Sequence, residues 1–447
     1  MRLHRTMAQQ PVIRARPAGV RALRMRAVKS ALVLLLMGSG VAGVAGVAGA
    51  AGAGAIAEVT GVAGAVRATG VVGAASAAGI AAANGFVGPA ACATWPAWHN
   101  FANTFITDTG RLIDPATPNG QTTSEGQAYA LFFALVAGDR ERFARVLRWS
   151  EDNLAGGDLT ARLPAWLWGR KADGSWGIID DNAAADADLW MAYALQEAGR
   201  LWQAPHYTAQ GRLLAERILR EETAVFDGIG RLLLPAPRGF QTAAGSVRLN
   251  PSYAPLQVLR RLAAGSLQPE SKAQWLQQVA GTARMLIDSA PRGFAPDWVR
   301  YSSAGGFAPD TETQATGSFN AIRTYLWTGM LARDEPLRPT LQKALLPMVR
   351  ATIAGGTPPL RVDTRSGALD GIGDAGFSAA LLPLIAGTVG PNAAALQEAR
   401  IMARDPLARR DNYYEQALTL FGLGWRSGRY HFVRDGSLLL HGSCNPR

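Results

Sequence analysis

The chain predicts an all-α fold of paired helices, and three observations carry that expectation. Roughly twelve windows between residues 96 and 425 repeat apolar side chains at helical spacing. No low-complexity linker divides residues 91–447, which read as one domain with length enough for a single large core. Only short apolar or alternating stretches, near 230–249, 298–307 and 429–440, read as strands or hairpins between helices. The helical windows are 96–107, 124–138, 140–154, 186–199, 206–222, 252–264, 270–289, 318–332, 338–353, 376–387, 393–403 and 412–425. Gly-rich joints such as Ala354-Gly355-Gly356 read as helix ends.

Residues 1–90 stand apart from this pattern. Residues 1–30 carry Arg2, Arg5, Arg14, Arg16, Arg21, Arg24, Arg26 and Lys29 and no acid, and an uncharged run follows from Ser30 to Ala57. A basic segment followed by an apolar one reads as a secretory signal, with A-x-A-like sites such as Ala48-Gly49-Ala50 available for cleavage. The run is long enough to span a bilayer, but its second half is Ala/Gly-rich and weakly hydrophobic, which favours cleavage over anchoring. Export to the periplasm or beyond is the expectation. The formal net charge of +11 divides accordingly: residues 1–90 hold nine basic residues and one acid, leaving +3 for the remainder. The high pI therefore belongs to the leader and gives no reason to expect nucleic-acid binding. In an oxidising compartment Cys92 and Cys444, the two cysteines, could join and tie the ends of the mature chain together. Two cysteines and scattered histidines offer no zinc-ligand cluster, so no metal or cofactor is expected. The phosphate-binding pattern Gly-x-x-x-x-Gly-Lys-Ser/Thr does not occur.

The chemistry-bearing candidates sit where apolar helices begin. Residues 122–127 read Thr-Thr-Ser-Glu-Gly-Gln, followed by Ala128, Leu131, Phe132 and Leu135 at core-facing spacing. Glu125 thus lies in the first turn of a helix built for burial, where desolvation raises a carboxyl's proton affinity and suits it to general-acid work. The same residues also fit capping boxes, Thr122 with Glu125 and Ser124 with Gln127, in which the side chains serve only the backbone. Asp186 and Asp188 precede another apolar run, and Asp186 fits an ordinary N-cap equally well.

Several further segments occur in a fixed order: Leu-Pro-Ala-Trp-Leu-Trp at 163–168, Asp-Ala-Asp-Leu-Trp-Met-Ala-Tyr-Ala-Leu at 186–195, Gly-Phe-Ala-Pro-Asp-Trp-Val-Arg-Tyr at 293–301, Ser-Phe-Asn-Ala-Ile-Arg-Thr-Tyr-Leu-Trp at 318–327, and Tyr413, Tyr414, Leu420, Phe421 and Trp425. From about Cys92 onward the chain resembles glycoside hydrolase family 8, most of all its periplasmic cellulases that accompany bacterial cellulose synthase. The resemblance implies an (α/α)6 barrel, six inner helices inside six outer ones, with Glu125, Asp186 and Asp188 projecting into a shared cleft. It also implies inverting hydrolysis of β-1,4-glucan, with cellulose oligosaccharide chains as the partner, the cellulose export machinery as a further one, and a monomeric enzyme. Glu125 matches the family's acid, and Asp186 matches an aspartate that holds the sugar distorted at the cleavage point.

The family's base matches Asn320, where the members most similar to this chain carry Asp. An amide cannot accept the proton. Three explanations stand: another carboxylate serves (Asp186, Asp188, Asp310 or Glu312), the protein binds glucan and cuts it slowly, or the residue was changed to trap substrate. Trp166 and Trp168 are the best candidates for a sugar-stacking groove, since C–H faces of sugars pack on aromatic faces. Trp95, Trp98, Trp176 and Trp298 are weaker ones, with core packing the alternative for each. Tyr253 is a family-matched position near the cleavage point, and Tyr414 is grouped with it as substrate-binding. Arg323 could serve a sugar hydroxyl or a carboxylate, or form a structural ion pair with Asp297. A related hydrolase acting on chitosan or xylan is the remaining alternative, and the +3 balance weighs slightly against the cationic substrate.

Overall fold

The computed structural model describes residues 94–242 and 245–440. Residues 1–90, Cys92 and Cys444 lie outside the described residues, so the signal and disulfide expectations rest on the sequence. Among the described residues there are twelve α-helices: α1 (Pro96–Phe105), α2 (Ser124–Ala137), α3 (Arg140–Leu154), α4 (Ala185–Leu201), α5 (Pro205–Glu221), α6 (Leu256–Gly265), α7 (Pro269–Asp288), α8 (Ala321–Gly329), α9 (Arg338–Gly355), α10 (Ala375–Thr388), α11 (Pro391–Arg404) and α12 (Tyr413–Arg426). Every helical window read from the sequence corresponds to one of them.

The even-numbered helices form the inner ring. α2 packs on α4, α4 on α6, α6 on α8, α8 on α10 and α10 on α12. The ring closes from α12 back to α2 through Phe421, whose ring lies 5.3 Å from Phe132 and 4.6 Å from Phe133. Each inner helix is backed by the next outer one: α2 by α3, α4 by α5, α6 by α7, α8 by α9, α10 by α11 and α12 by α1. The fold is the (α/α)6 barrel.

Composition separates the two rings. On α4 every residue from Ala185 to Gly199 is buried, and on α10 every residue from Ala375 to Ile385. The outer α3 buries one stripe, including Phe143, Val146, Leu147 and Leu154. Five of the six outer helices (α1, α5, α7, α9 and α11) have proline in their first turn, where its missing N–H is no loss. The barrel axis is filled by aromatic rings: Trp190 lies 4.9 Å from Phe132 and 5.2 Å from Trp327, and Phe421 lies 5.1 Å from Trp327.

Because consecutive helices alternate direction, all six inner helices begin at one end of the barrel. That end carries the β-structure. Residues 122–123, 167–170 and 176–180 form one antiparallel sheet, and residues 247–249, 299–302 and 306–309 form another. The opposite end is stoppered by the hairpin of 430–432 and 438–440. Glu197 of α4 accepts from the Leu438 N–H and from Arg200 and Arg261, and the Tyr193 hydroxyl donates to the Gly436 carbonyl at 2.9 Å.

Candidate active site

Neither capping box forms. The N-cap of α2 is Thr123, whose hydroxyl accepts from the Gly126 N–H at 3.2 Å. Gln127 instead turns into the core, where its Oε1 accepts from the Leu112 N–H and its Nε2 donates to Ser150 at 2.9 Å. That leaves the Glu125 carboxyl half-buried at the end of the barrel where the inner helices begin, with the Trp166 indole N–H donating to Oε1 at 3.2 Å. Trp166 is held there by the sheet edge: its carbonyl accepts from the Ser124 N–H at 2.9 Å, and its own N–H donates to the Asn182 carbonyl at 2.6 Å. Burial, then the neighbouring Asp186, raises the Glu125 carboxyl from its ordinary 4.5 to about 7.

Asp186 is not an N-cap either. The N-cap of α4 is Ala184, with no side-chain bond, and Asp186 lies inside the first turn, almost wholly buried. Its Oδ2 accepts from Arg323 Nη1 at 2.8 Å, and its Oδ1 accepts from the Ala187 N–H at 3.0 Å. Burial raises its proton affinity while Arg323 opposes the rise. Arg323, itself 6% exposed, also donates to the Tyr129 hydroxyl at 3.0 Å and, through Nη2, to Asn320 Oδ1 at 2.9 Å. Its ion-pair partner is therefore Asp186 and not Asp297.

Asp297 has another task. Its Oδ1 accepts from the backbone N–H groups of Ser318, Asn320 and Ala321 at 2.8, 2.9 and 2.7 Å. It thereby caps α8 from outside, which releases the Asn320 side chain from capping its own helix. This is also why the helix begins at Ala321, three residues later than the apolar pattern suggested.

The Asn320 amide has only one orientation compatible with its neighbours. Asn250 Oδ1 accepts from the Ser252 N–H and hydroxyl, so Asn250 presents Nδ2, which donates to Asn320 Oδ1 at 3.1 Å. Arg323 can only donate. Both donors converge on one oxygen of residue 320, and the amide nitrogen must take the other direction. Where a base would offer a lone pair, this side chain offers N–H.

Asp188 is a correction. It does not reach the cleft to bind substrate; it is 0% exposed and its carboxyl lies against Glu222, the C-cap of α5, a residue the sequence pattern did not single out. Of the other carboxylates named as substitute bases, Asp310 is gripped by Arg248 at 2.9 and 3.0 Å and held below its ordinary proton affinity, against the desolvation that would raise it. Glu312 reaches the same arginine at 3.3 Å.

Aromatic residues flank the acids on both sides. Trp168 stacks on Trp176 at 5.3 Å, with the Arg111 guanidinium 4.5 and 4.9 Å from the two rings. Trp176 is 50% exposed and Trp168 half-buried. On the other side Tyr253 lies 5.4 Å from the Arg323 guanidinium, Trp298 lies edge-on to Tyr253 at 5.7 Å, and Phe240 stacks on Trp298 at 5.8 Å. Tyr414, at the start of α12, donates its hydroxyl to the Phe319 carbonyl at 2.6 Å. Trp95 and Trp98 are core residues. Among the described residues no group of His, Cys, Asp and Glu could hold a metal ion.

An acid pushed up to about 7, a second acid salt-bridged beside it and aromatic rings to either side, at the end of an (α/α)6 barrel where the inner helices begin, are the features of a glycoside hydrolase. The sequence model of glycosyl hydrolases family 8 matches residues 77–428, and the chain belongs to that family. It is 44% identical over 346 residues to an endoglucanase of Salmonella typhi, covering 77% of this chain and 90% of that protein. It is 44% identical over 349 residues to an endoglucanase of Xanthomonas axonopodis pv. citri, covering 78% and 89%. The solved endo-1,4-D-glucanase from Vibrio fischeri superposes with a TM-score of 0.74 at 45% identity, covering 77% of this chain and 99% of that one.

Proposed function

We propose that this protein is an exported, inverting endo-β-1,4-glucanase acting on cellulose in the course of its synthesis, with Glu125 as the general acid. The observation that carries this reading is the Glu125 carboxyl at the cleft, raised to about 7 and oriented by Trp166. Such a group can hold its proton until a glycosidic oxygen takes it. Asp186, fixed by Arg323, is placed to accept hydroxyls of the sugar at the cleavage point. The aromatic rings to either side suit the C–H faces of an extended glucan. The basic leader with its apolar run supports export, and likeness to the cellulases of cellulose synthesis supports the biological setting.

Inversion needs a base to activate water across the ring, roughly 6.5–9.5 Å from the acid. Position 320 is surrounded for a carboxylate, since Arg323 and Asn250 both donate to it, yet it holds an amide. Asn320 then orients the water without taking its proton. This favours a second reading, a slow hydrolase that binds glucan firmly. Two substitutions separate the readings on a soluble cellulose derivative, followed by reducing-sugar release and by a binding assay. Glu125→Gln removes the acid and should lower turnover by roughly 10²–10⁴-fold; undiminished turnover overturns the assignment. Asn320→Asp should raise turnover by about tenfold or more. A rate that stays flat or falls means that position 320 is not a vacant base site.

A further inference from the structure

Behind Asp186 lies an acid pair that the cleavage chemistry leaves unused. Asp188 on α4 and Glu222 at the end of α5 are each 0% exposed. Their side chains are within hydrogen-bonding reach of one another. All four carboxyl oxygens lack any donor among the described residues. A buried carboxylate without donors is strongly disfavoured, and two face to face more so. With two protons the pair satisfies itself, each O–H donating to the other's carbonyl oxygen. With one proton it would leave a negative charge facing further acids.

The charges acting on the pair are acidic from each direction: Asp186 on the same helix, Glu125 on α2 and Glu221 on α5. Arg323 on α8, the cation beside Asp186, spends Nη1 and Nη2 on Asp186, Tyr129 and Asn320.

We propose that Asp188 and Glu222 form an uncharged carboxylic acid pair, two positioning residues that keep the rear wall of the site free of charge and so set the pH at which Glu125 gives up its proton. Burial pushing both carboxyls far above the ordinary range agrees with this. The pair's protonation stands on its own geometry, while its effect on the pH profile rests on Glu125 being the acid.

Glu222→Gln supplies an amide donor that lets Asp188 ionise beside Asp186 and Glu125. The alkaline limb of kcat/KM against pH should then move upward by roughly one unit. Asp188→Asn combined with Glu222→Gln restores an uncharged pair and should return the limb to its wild-type position. A Glu222→Gln limb that coincides with the wild-type one overturns the proposed effect on Glu125. Infrared spectra of the wild-type protein in heavy water at about pH 9, where Glu125 is ionised, should keep the carbonyl band of protonated carboxyls. That band should vanish in the double variant. Its absence from the wild-type protein overturns the pair itself, whether or not any variant folds. Should Glu125 prove not to be the acid, the band persists while the limb stops responding, so the two failures are distinguishable.

Discussion

At the scale of single residues, the site depends on what each polar side chain has been relieved of doing. Thr123 caps α2, so Glu125 is free; Asp297 caps α8, so Asn320 is free. Glu125 also makes its presence known in stability. Its carboxyl titrates near 4.5 in an unfolded chain and at about 7 when folded. Between those values the folded state binds the extra proton, so stability falls as pH rises through the window. The penalty is absent below the lower value and complete above the upper one. Glu125→Gln, which never ionises, should therefore match the wild-type melting temperature near pH 4 and exceed it above about pH 7. Equal melting curves at both ends would show that the carboxyl is not desolvated. The opening of α2 was legible in the sequence because a lone acid before an uninterrupted apolar run is unusual. The partner of Arg323 was not, since 137 residues separate it from Asp186.

At the scale of elements, the inner ring works because its helices touch almost backbone to backbone at glycines. A Cβ on Gly422 of α12 would stand 2.0 Å from the Ala379 carbonyl oxygen of α10, and one on Gly329 of α8 would stand 2.3 Å from the Leu384 nitrogen of the same helix. Helix α10 is thus gripped from both sides. Gly422→Ala should destabilise by about 1–3 kcal/mol through overpacking, despite alanine's better helix propensity. Thermal or denaturant unfolding checks this, and a stabilised variant would mean that the two helices lie farther apart. The helices were readable from periodicity, and so were strands near 230–249, 298–307 and 429–440, while the sheet of 122–123, 167–170 and 176–180 was not. The 122–123 and 167–170 pairing that carries Trp166 is held by cross-strand bonds that leave no local pattern of that length.

At the scale of the whole molecule, the barrel has a reactive end and a closed end, and Glu197 secures the closed one. Fully buried, it accepts from Arg200, Arg261 and the Leu438 N–H. Glu197→Ala would leave two arginines facing each other beneath the 430–440 hairpin. The expected loss is about 3–5 kcal/mol, as for other broken buried ion pairs, with earlier proteolysis near the C-terminus. Unchanged stability would mean that the hairpin is held by its apolar contacts alone.

The order and type of the helices, and the apolar runs that follow Glu125 and Asp186, could be read along the chain, because helical periodicity depends on spacing between near neighbours. Asn320 was singled out by the family resemblance and not by spacing. Which acids meet which bases could not be so read. Asp186 and Asp188 sit two residues apart on one helix with the same composition around them. Closing the ring turns the first toward Arg323 and the cleft, and the second toward Glu222 and the core. Contacts of that kind arise between elements distant in sequence, and only the packed barrel brings them within hydrogen-bonding distance.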